Sequence, residues 1–395
     1  MKENERITLV LVDTCAFRDV NSDFPGIIRK ILPSFFSTIN EKGIVLLTHP
    51  ILDNEIRKHI EDSGLYKNYQ ALISQLIKND DTLKYFECNN EDLFSKIKEL
   101  DIKRELFETY KEYYRNAIHL EYGDPADVFS LYFNGMPPFA PSGNKKNEFP
   151  DAFVFNGAKK YLENHPNDIL LVVSKDTDWI SAFNGIENTV ICASISDALT
   201  KISSIDSILS SEMLAQIFRG AYDEILSDAK FHVESECFEL EDYETFNELE
   251  IESVEIESVS DSFTPLKITR DSILISTNIS VKVSGYAEAF DEENSVWDSV
   301  DREYVYMSYV DVDFTDAEAS VECEIRLSFD FDSPEDTAQV VELKLLNQGN
   351  ICINCPNAEI IEIDDDEMAL RVLRKIKVIL EEINNDLLQL QRADA

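Results

Sequence analysis

Three short, almost wholly apolar runs constrain this chain more than any other feature: Ile7 to Val12, Ile44 to Leu47 and Ile169 to Val173, each ending at polar residues. Runs of this length without polar alternation belong to strands buried on both faces, and such strands occur in parallel sheets covered by helices. Helical spacing fills the intervals. It covers Pro25 to Ile39, then Ile51 to Ile60, opened by Thr48-His49-Pro50 with proline in the first turn. It resumes at about Leu65 to Ile77, at Glu91 to His119 and at Pro150 to Leu162, the last two separated by a loop rich in glycine and proline. A fourth strand is expected near Thr189 to Cys192, with helices on to about Ala229. This alternation predicts an α/β domain, three layers deep, around a mainly parallel sheet.

The remainder of the 395 residues reads differently and predicts a second core. Val321, Cys323, Ile325, Leu327, Phe329 and Phe331 alternate with polar residues, as do Ile279, Val281 and Val283, the pattern of antiparallel strands with one wet face. The pentapeptide Glu250-Ile-Glu-Ser-Val254 repeats at once as Glu255-Ile-Glu-Ser-Val259. Near the end, Met368, Val372, Leu373, Ile376 and Leu380 form a helical stripe. The expected organisation is an α/β domain over 1–230 with a helical insert at about 65–147, an acidic connector over 231–262, and a β-rich acidic domain with a C-terminal helix over 263–395.

A net charge of −41 argues against a nucleic-acid partner until its distribution is considered. Residues 1–230 hold 25 Lys and Arg against 36 Asp and Glu, whereas residues 231–395 hold 11 against 41. Nucleic acid is therefore compatible with the first part, and the second part is expected to meet protein or its own copy. No apolar run approaches the roughly 18 residues a membrane span needs. Met1 to Arg6 lacks the character of an export signal, and seven scattered cysteines fit reduced thiols, so a cytoplasmic location is expected. The five histidines show no paired ligand spacing. Cys352-Ile-Asn-Cys355 is half a zinc site without a second pair, and neither a nucleophile motif nor a Gly-rich phosphate loop is present.

Ligands in parallel α/β sheets sit beyond the carboxyl ends of the strands, and acids gather there. Asp13 ends the first run, Glu55 lies in the helix after the second, Asp151 opens a helix, and Asp176 and Asp178 follow the third run. Carboxylates brought together from several elements repel unless cations share the site, and hard oxygen donors suit Mg²⁺ or Mn²⁺. Each acid also has a plain structural reading: Asp13 as a turn cap, Glu55 as a solvated helix residue, Asp151 and Asp176 as helix-start residues. Lys145, Lys146 and Lys175 adjoin the acids and are candidates for substrate phosphates or for a solvated loop.

Val12-Asp-Thr14, the helix bearing Glu55, Lys146-Asn-Glu-Phe-Pro-Asp151 and Val173-Ser-Lys-Asp-Thr-Asp-Trp179 together resemble the successive motifs of PIN-like nucleases, over about residues 7–195. The variant with a long helical insert and an EFPDA helix start is the most similar. The resemblance implies a metal-dependent endoribonuclease with a toxin or defence role. Its metal-site acids would be Asp13, Glu55, Asp151 and Asp176, with Asp178 and Glu148 as extras and Thr14 and Ser174 supporting by hydrogen bonds. A DNA nuclease would use the same acids, and a non-catalytic PIN scaffold binding a protein partner is the reading from another class.

Overall fold

The computed structural model describes residues 6–78, 101–139, 148–205, 207–240, 249–298, 303–347, 349–354 and 359–361. The described chain divides into two compact units. One comprises residues up to Ile225 with Asp261–Thr277 and Cys323–Leu346; the other comprises Leu226–Ser260, Asn278–Glu322 and the chain from Asn347 onward.

The first unit is built on five parallel strands: β1 (Leu9–Val12), β2 (Val45–Thr48), β3 (Ile118–His119), β4 (Leu170–Val173) and β5 (Thr189–Cys192), in the order β3-β2-β1-β4-β5. Successive strand side chains point to opposite faces, so one apolar run feeds two cores. Val10 and Val12, with Leu171 and Val173, pack into one cluster under α1 (Thr14–Asp19), α2 (Ile31–Glu41) and α5 (Ile102–Tyr113). Leu9 and Leu11, with Leu170 and Val172, pack into the other under α7 (Phe149–Asn164) and α8 (Thr177–Phe183). This division produces the three layers, and it explains why the runs carry no polar alternation. The remaining helices of the unit include α3 (Pro50–His59), α4 (Gly64–Lys78), α6 (Pro125–Asn134), α9 (Ile195–Ser203) and α10 (Ser211–Gly220), with α11 (Tyr222–Glu234) beginning at its edge.

Two local expectations change. The helical pattern from Pro25 becomes a loop up to Lys30, because buried Asp23 takes the amides of Ile27, Ile28 and Arg29 at 2.8–2.9 Å, which competes with helix formation. The helix expected to reach His119 ends at Tyr113, and Ile118–His119 instead pair with Leu47 and Thr48 as β3. No described helix is long and apolar enough to cross a membrane.

Helix α7 approaches the end of β3 closely. A Cβ at Gly157 would lie 2.5 Å from the carbonyl oxygen of Glu121, so glycine sets the height of this helix over the sheet. Gly157→Ala is expected to cost about 1–3 kcal/mol through overpacking against backbone. Denaturant unfolding within a few tenths of wild type would show that the helix yields instead.

The first unit also takes in segments from far along the chain. Strand β8 (Thr264–Ile268) packs on α2 and α9, and Leu266 joins the core beneath them. Strand β11 (Gln339–Leu345) pairs antiparallel with the Cys323–Ser328 end of β10 (Glu303–Ser328), and Lys344 Nζ donates to the Ile28 carbonyl at 3.0 Å.

In the second unit, β7 (Glu250–Val259) pairs antiparallel with β9 (Ser272–Asp298), and β6 (Cys237–Leu240) pairs in parallel with β12 (Asn350–Ile353). The short strand β13 (Glu359–Ile361) pairs with Asp311–Asp313 of β10. The tandem pentapeptide lies within β7. A five-residue period would turn alternate repeats to opposite faces of a strand. The register shifts once per repeat, at Ile251/Ser253 and at Ile256/Ser258. Ile251 therefore faces Gly285 and Ile256 faces Val281, so five residues are fitted to four partners and both isoleucines keep one face. The expected C-terminal helix lies outside the described residues.

Candidate active site

The order of the sheet reverses between β1 and β4: strands two and three lie to one side of β1, strands four and five to the other. An open parallel sheet leaves a crevice at such a reversal, beyond the carboxyl ends of the strands. Asp13 follows β1 and is the N-cap of α1, and Asp176 is the N-cap of α8 just after β4. Asp151 sits in the first turn of α7, and Glu55 in the middle of α3.

Asp13 is only 6% exposed. Its Oδ2 accepts hydrogen bonds from Ser174 Oγ at 2.6 Å and Cys15 Sγ at 2.9 Å, and its Oδ1 accepts from Cys15 N at 3.4 Å. Ser174 Oγ in turn accepts from the Asp176 amide at 3.0 Å, so one buried hydroxyl ties the ends of the two central strands together. Thr14 Oγ1 stands 3.4 Å from Asp13 Oδ1 and 3.2 Å from Glu55 Oε2. A hydroxyl has one proton and cannot donate to two carboxylates at once. The Thr14 hydroxyl therefore donates to Glu55 or to Asp13 at any one time and stands between the two carboxylates.

The electrostatics agree. Burial first, and then the charge of Asp151, push Glu55 up to about 7; Asp13 adds in the same direction, while the Thr14 hydrogen bond opposes them. Asp151 is also raised, chiefly by burial, with Asp13, Asp176 and Asp178 contributing, while the indole of Trp179, donating to Oδ1 at 3.0 Å, pulls it down. The structure thus brings Asp13, Asp176 and Asp178 within reach of the charge of Asp151, and Asp13 and Asp151 within reach of Glu55. Asp176 also accepts from the Asp178 amide at 2.7 Å, so it caps its helix as Asp13 does while its charge acts on Asp151.

Asp53 shows the contrast. Two residues before Glu55, it accepts from Tyr110 Oη and Lys111 Nζ, both at 2.8 Å, and from Thr48 Oγ1 at 3.1 Å. Its charge is matched by a lysine, and its task is to hold α5 to α3. Glu148 is the N-cap residue of α7, half-buried, and makes no capping hydrogen bond there. Lys175 is exposed and paired with Asp19 at 2.5 Å. Lys145 and Lys146 lie outside the described residues.

Sequence reasoning gave no role to Trp179 or Cys15. The indole three residues after Asp176 and the thiol two residues after Asp13 were the available signals, but only the fold shows that they touch acids. The Cys15 thiol is pushed up to about 11, first by burial and then by Asp13, so it stays protonated. The acids offer a cation hard oxygen donors, which suits Mg²⁺ or Mn²⁺. Among the described residues, no three Asp, Glu, His or Cys side chains already clasp a single point. The fit to a cation rests on donor type and on shared repulsion that a divalent ion would relieve.

A family model described as the PIN domain matches residues 10–179. That stretch belongs to the PIN domain family. The match opens within β1 and closes on Trp179, so it contains every acid of the group. PIN domains are generally nucleases that use divalent metal ions. No curated protein and no solved structure matches the chain.

Proposed function

We propose that this PIN domain is an endoribonuclease that hydrolyses phosphodiester bonds with two cations, Mg²⁺ or Mn²⁺, held by Asp13, Glu55, Asp151 and Asp176, with Asp178 and Glu148 as further ligands. One observation carries the reading: burial, with the charge of neighbouring acids added to it, raises Glu55 and Asp151, and neither of these two has an ion-pair partner among the described residues. A folded chain keeps such repulsion where a ligand relieves it. When bound, divalent ions activate a water and offset charge on the leaving oxygen.

The chain's own residues supply the frame. Ser174, Cys15 and Thr14 fix Asp13 by hydrogen bonds, and Trp179 holds one oxygen of Asp151. Glu55, raised to about 7, would give up any proton it carries on binding a cation. In the reaction, water adds to phosphorus, one P–O bond forms and one breaks, and the departing oxygen takes a proton. Lys175, with Lys145 and Lys146, would meet substrate phosphates. The preference for RNA, the toxin or defence role and a cytoplasmic setting follow from the family resemblance and composition. The acidic second part of the chain would contact a protein or a second copy.

The test is incubation of the purified chain with labelled RNA and DNA pools in Mg²⁺, Mn²⁺, Zn²⁺ or excess chelator. Cleavage of RNA in Mg²⁺ or Mn²⁺ and loss of it in chelator are expected. Activity that survives chelator would overturn the mechanism. Cleavage of DNA alone would move the substrate, and metal binding without cleavage of either pool would leave a scaffold.

A further inference from the structure

Beside the acid group, within the same unit, lies a cavity of about 350 Å³ whose wall includes Cys15, Arg18, Asn21, His59, Gly64 and Lys175. It adjoins the proposed metal site directly, since Cys15 Sγ hydrogen-bonds Asp13 and Lys175 stands between Ser174 and Asp176 in the chain. Its size falls at the small end of the range for ligand pockets, ~300–1,000 Å³.

The lining is unusual for an acidic protein. It brings two permanent cations, Arg18 and Lys175, to the rim of a carboxylate site, with Asp19 pairing the lysine and Asp62 Oδ2 4.0 Å from His59 Nδ1. Asn21 and Ser22 hold consecutive left-handed conformations, φ 56° and 52°, which side chains other than glycine rarely adopt. Such backbone persists only where its surroundings enforce it, and it clusters at binding sites. Gly64 lines the same wall, and a Cβ there would crowd the Asn21 side chain at 3.2 Å from its Oδ1.

We propose that this cavity is the subsite for one nucleotide of the substrate strand next to the bond that is cut, with Arg18 and Lys175 on its phosphate and His59 offering a polar edge to its base or sugar. The inference rests on the nuclease reading above. Arg18 is the informative residue, because it is exposed and stands outside the acid group. A guanidinium offers a planar fork to phosphate oxygens and a glutamine does not.

The experiment uses the full chain and two probes, a 5′-nucleoside monophosphate titrated in chelator and a labelled single-stranded RNA cleaved in Mg²⁺. Arg18→Gln is expected to weaken monophosphate binding and raise KM about tenfold, with kcat within about twofold of wild type. It should also lower the slope of log KM against log salt by about 0.7, the loss of one phosphate contact on a single strand. His59→Gln should weaken nucleoside monophosphate binding while leaving binding of inorganic phosphate unchanged. Unchanged binding and KM in Arg18→Gln, or a fall in kcat with KM untouched, would overturn the subsite while leaving the nuclease reading in place. If the wild-type chain cleaves nothing yet binds the monophosphate in an Arg18-dependent way, the subsite stands and the nuclease reading falls.

Discussion

Asp13→Asn is expected to lower kcat/KM for nucleic-acid cleavage by about 10³-fold or more while leaving the metal-free protein close to wild type in thermal stability. The first half follows from the role of a metal-site carboxylate: cation catalysis supplies several kcal/mol, and each ~1.4 kcal/mol is tenfold in rate. The second half follows from what surrounds the side chain. Asparagine keeps one oxygen to accept from Ser174 or from the Cys15 amide, and the hydroxyl and thiol can turn to accept from the new amide group. Removing the charge also relieves repulsion with Glu55 and Asp151. Asp13→Ala is different, because it deletes an N-cap and leaves buried donors without an acceptor. It should cost on the order of 0.5–2 kcal/mol in addition to activity. Asp53→Asn serves as the control: it breaks the pair with Lys111, should destabilise by about 1–3 kcal/mol, and should leave activity per folded molecule intact. Paired melts in chelator and cleavage assays separate these outcomes. If Asp13→Asn melts as low as Asp13→Ala and still cleaves, Asp13 is a cap and nothing more.

Metal affinity should rise roughly tenfold per pH unit up to about pH 7 and level off above it, because one proton on Glu55 must leave before a cation can bind. The same proton gives stability a definite direction. Glu55 titrates near 7 in the folded chain and near 4.5 unfolded, so between those values the native state binds more protons. Its contribution is fully present below about 4.5 and is lost as pH rises through about 7, and Asp151 acts in the same sense. In chelator, therefore, melting temperature should fall across that window. In millimolar Mn²⁺ the fall should vanish or reverse, since binding to the native state alone adds about 2.7 kcal/mol at a hundredfold excess over Kd. The gap between the two melting curves should widen with pH in wild type and stay narrow in Glu55→Gln. A gap independent of pH, or unchanged by the substitution, would remove Glu55 from the site.

Capping and ligation are often weighed as rivals for an acid at a helix start, and here the capping residues are also the ones that stand among the other acids. Asp176 accepts from its own helix while its charge is felt by Asp151, and Asp13 caps α1 while facing Glu55 through Thr14. A helix N-terminus favours a negative charge whatever else that charge does. A stability measurement on one variant therefore cannot classify these residues, and the response to metal is the measurement that does.

The sequence by itself determined what is written in local periods. Apolar runs ending at Asp13 and near Asp176 specified central parallel strands, and proline marked the starts of α3 and α7, because strand pleat and helical turn impose their repeats on any segment that buries one face. The order of the acids along those elements exposed the family. Only the tertiary structure decided which groups meet. Glu55 and Asp53 sit two residues apart on one helix, and pairing with Lys111, more than fifty residues away, makes one structural and leaves the other in the acid group. The two-residue β3 is too short to carry a period and exists only because β2 offers it an edge. Leu266 enters the core beneath α2 and α9 from more than sixty residues beyond α9, and Arg18 and His59 share a cavity wall only once α1 and α3 have packed. Local sequence sets conformational preference over a few residues, whereas contacts between distant segments depend on burial and charge in the assembled fold.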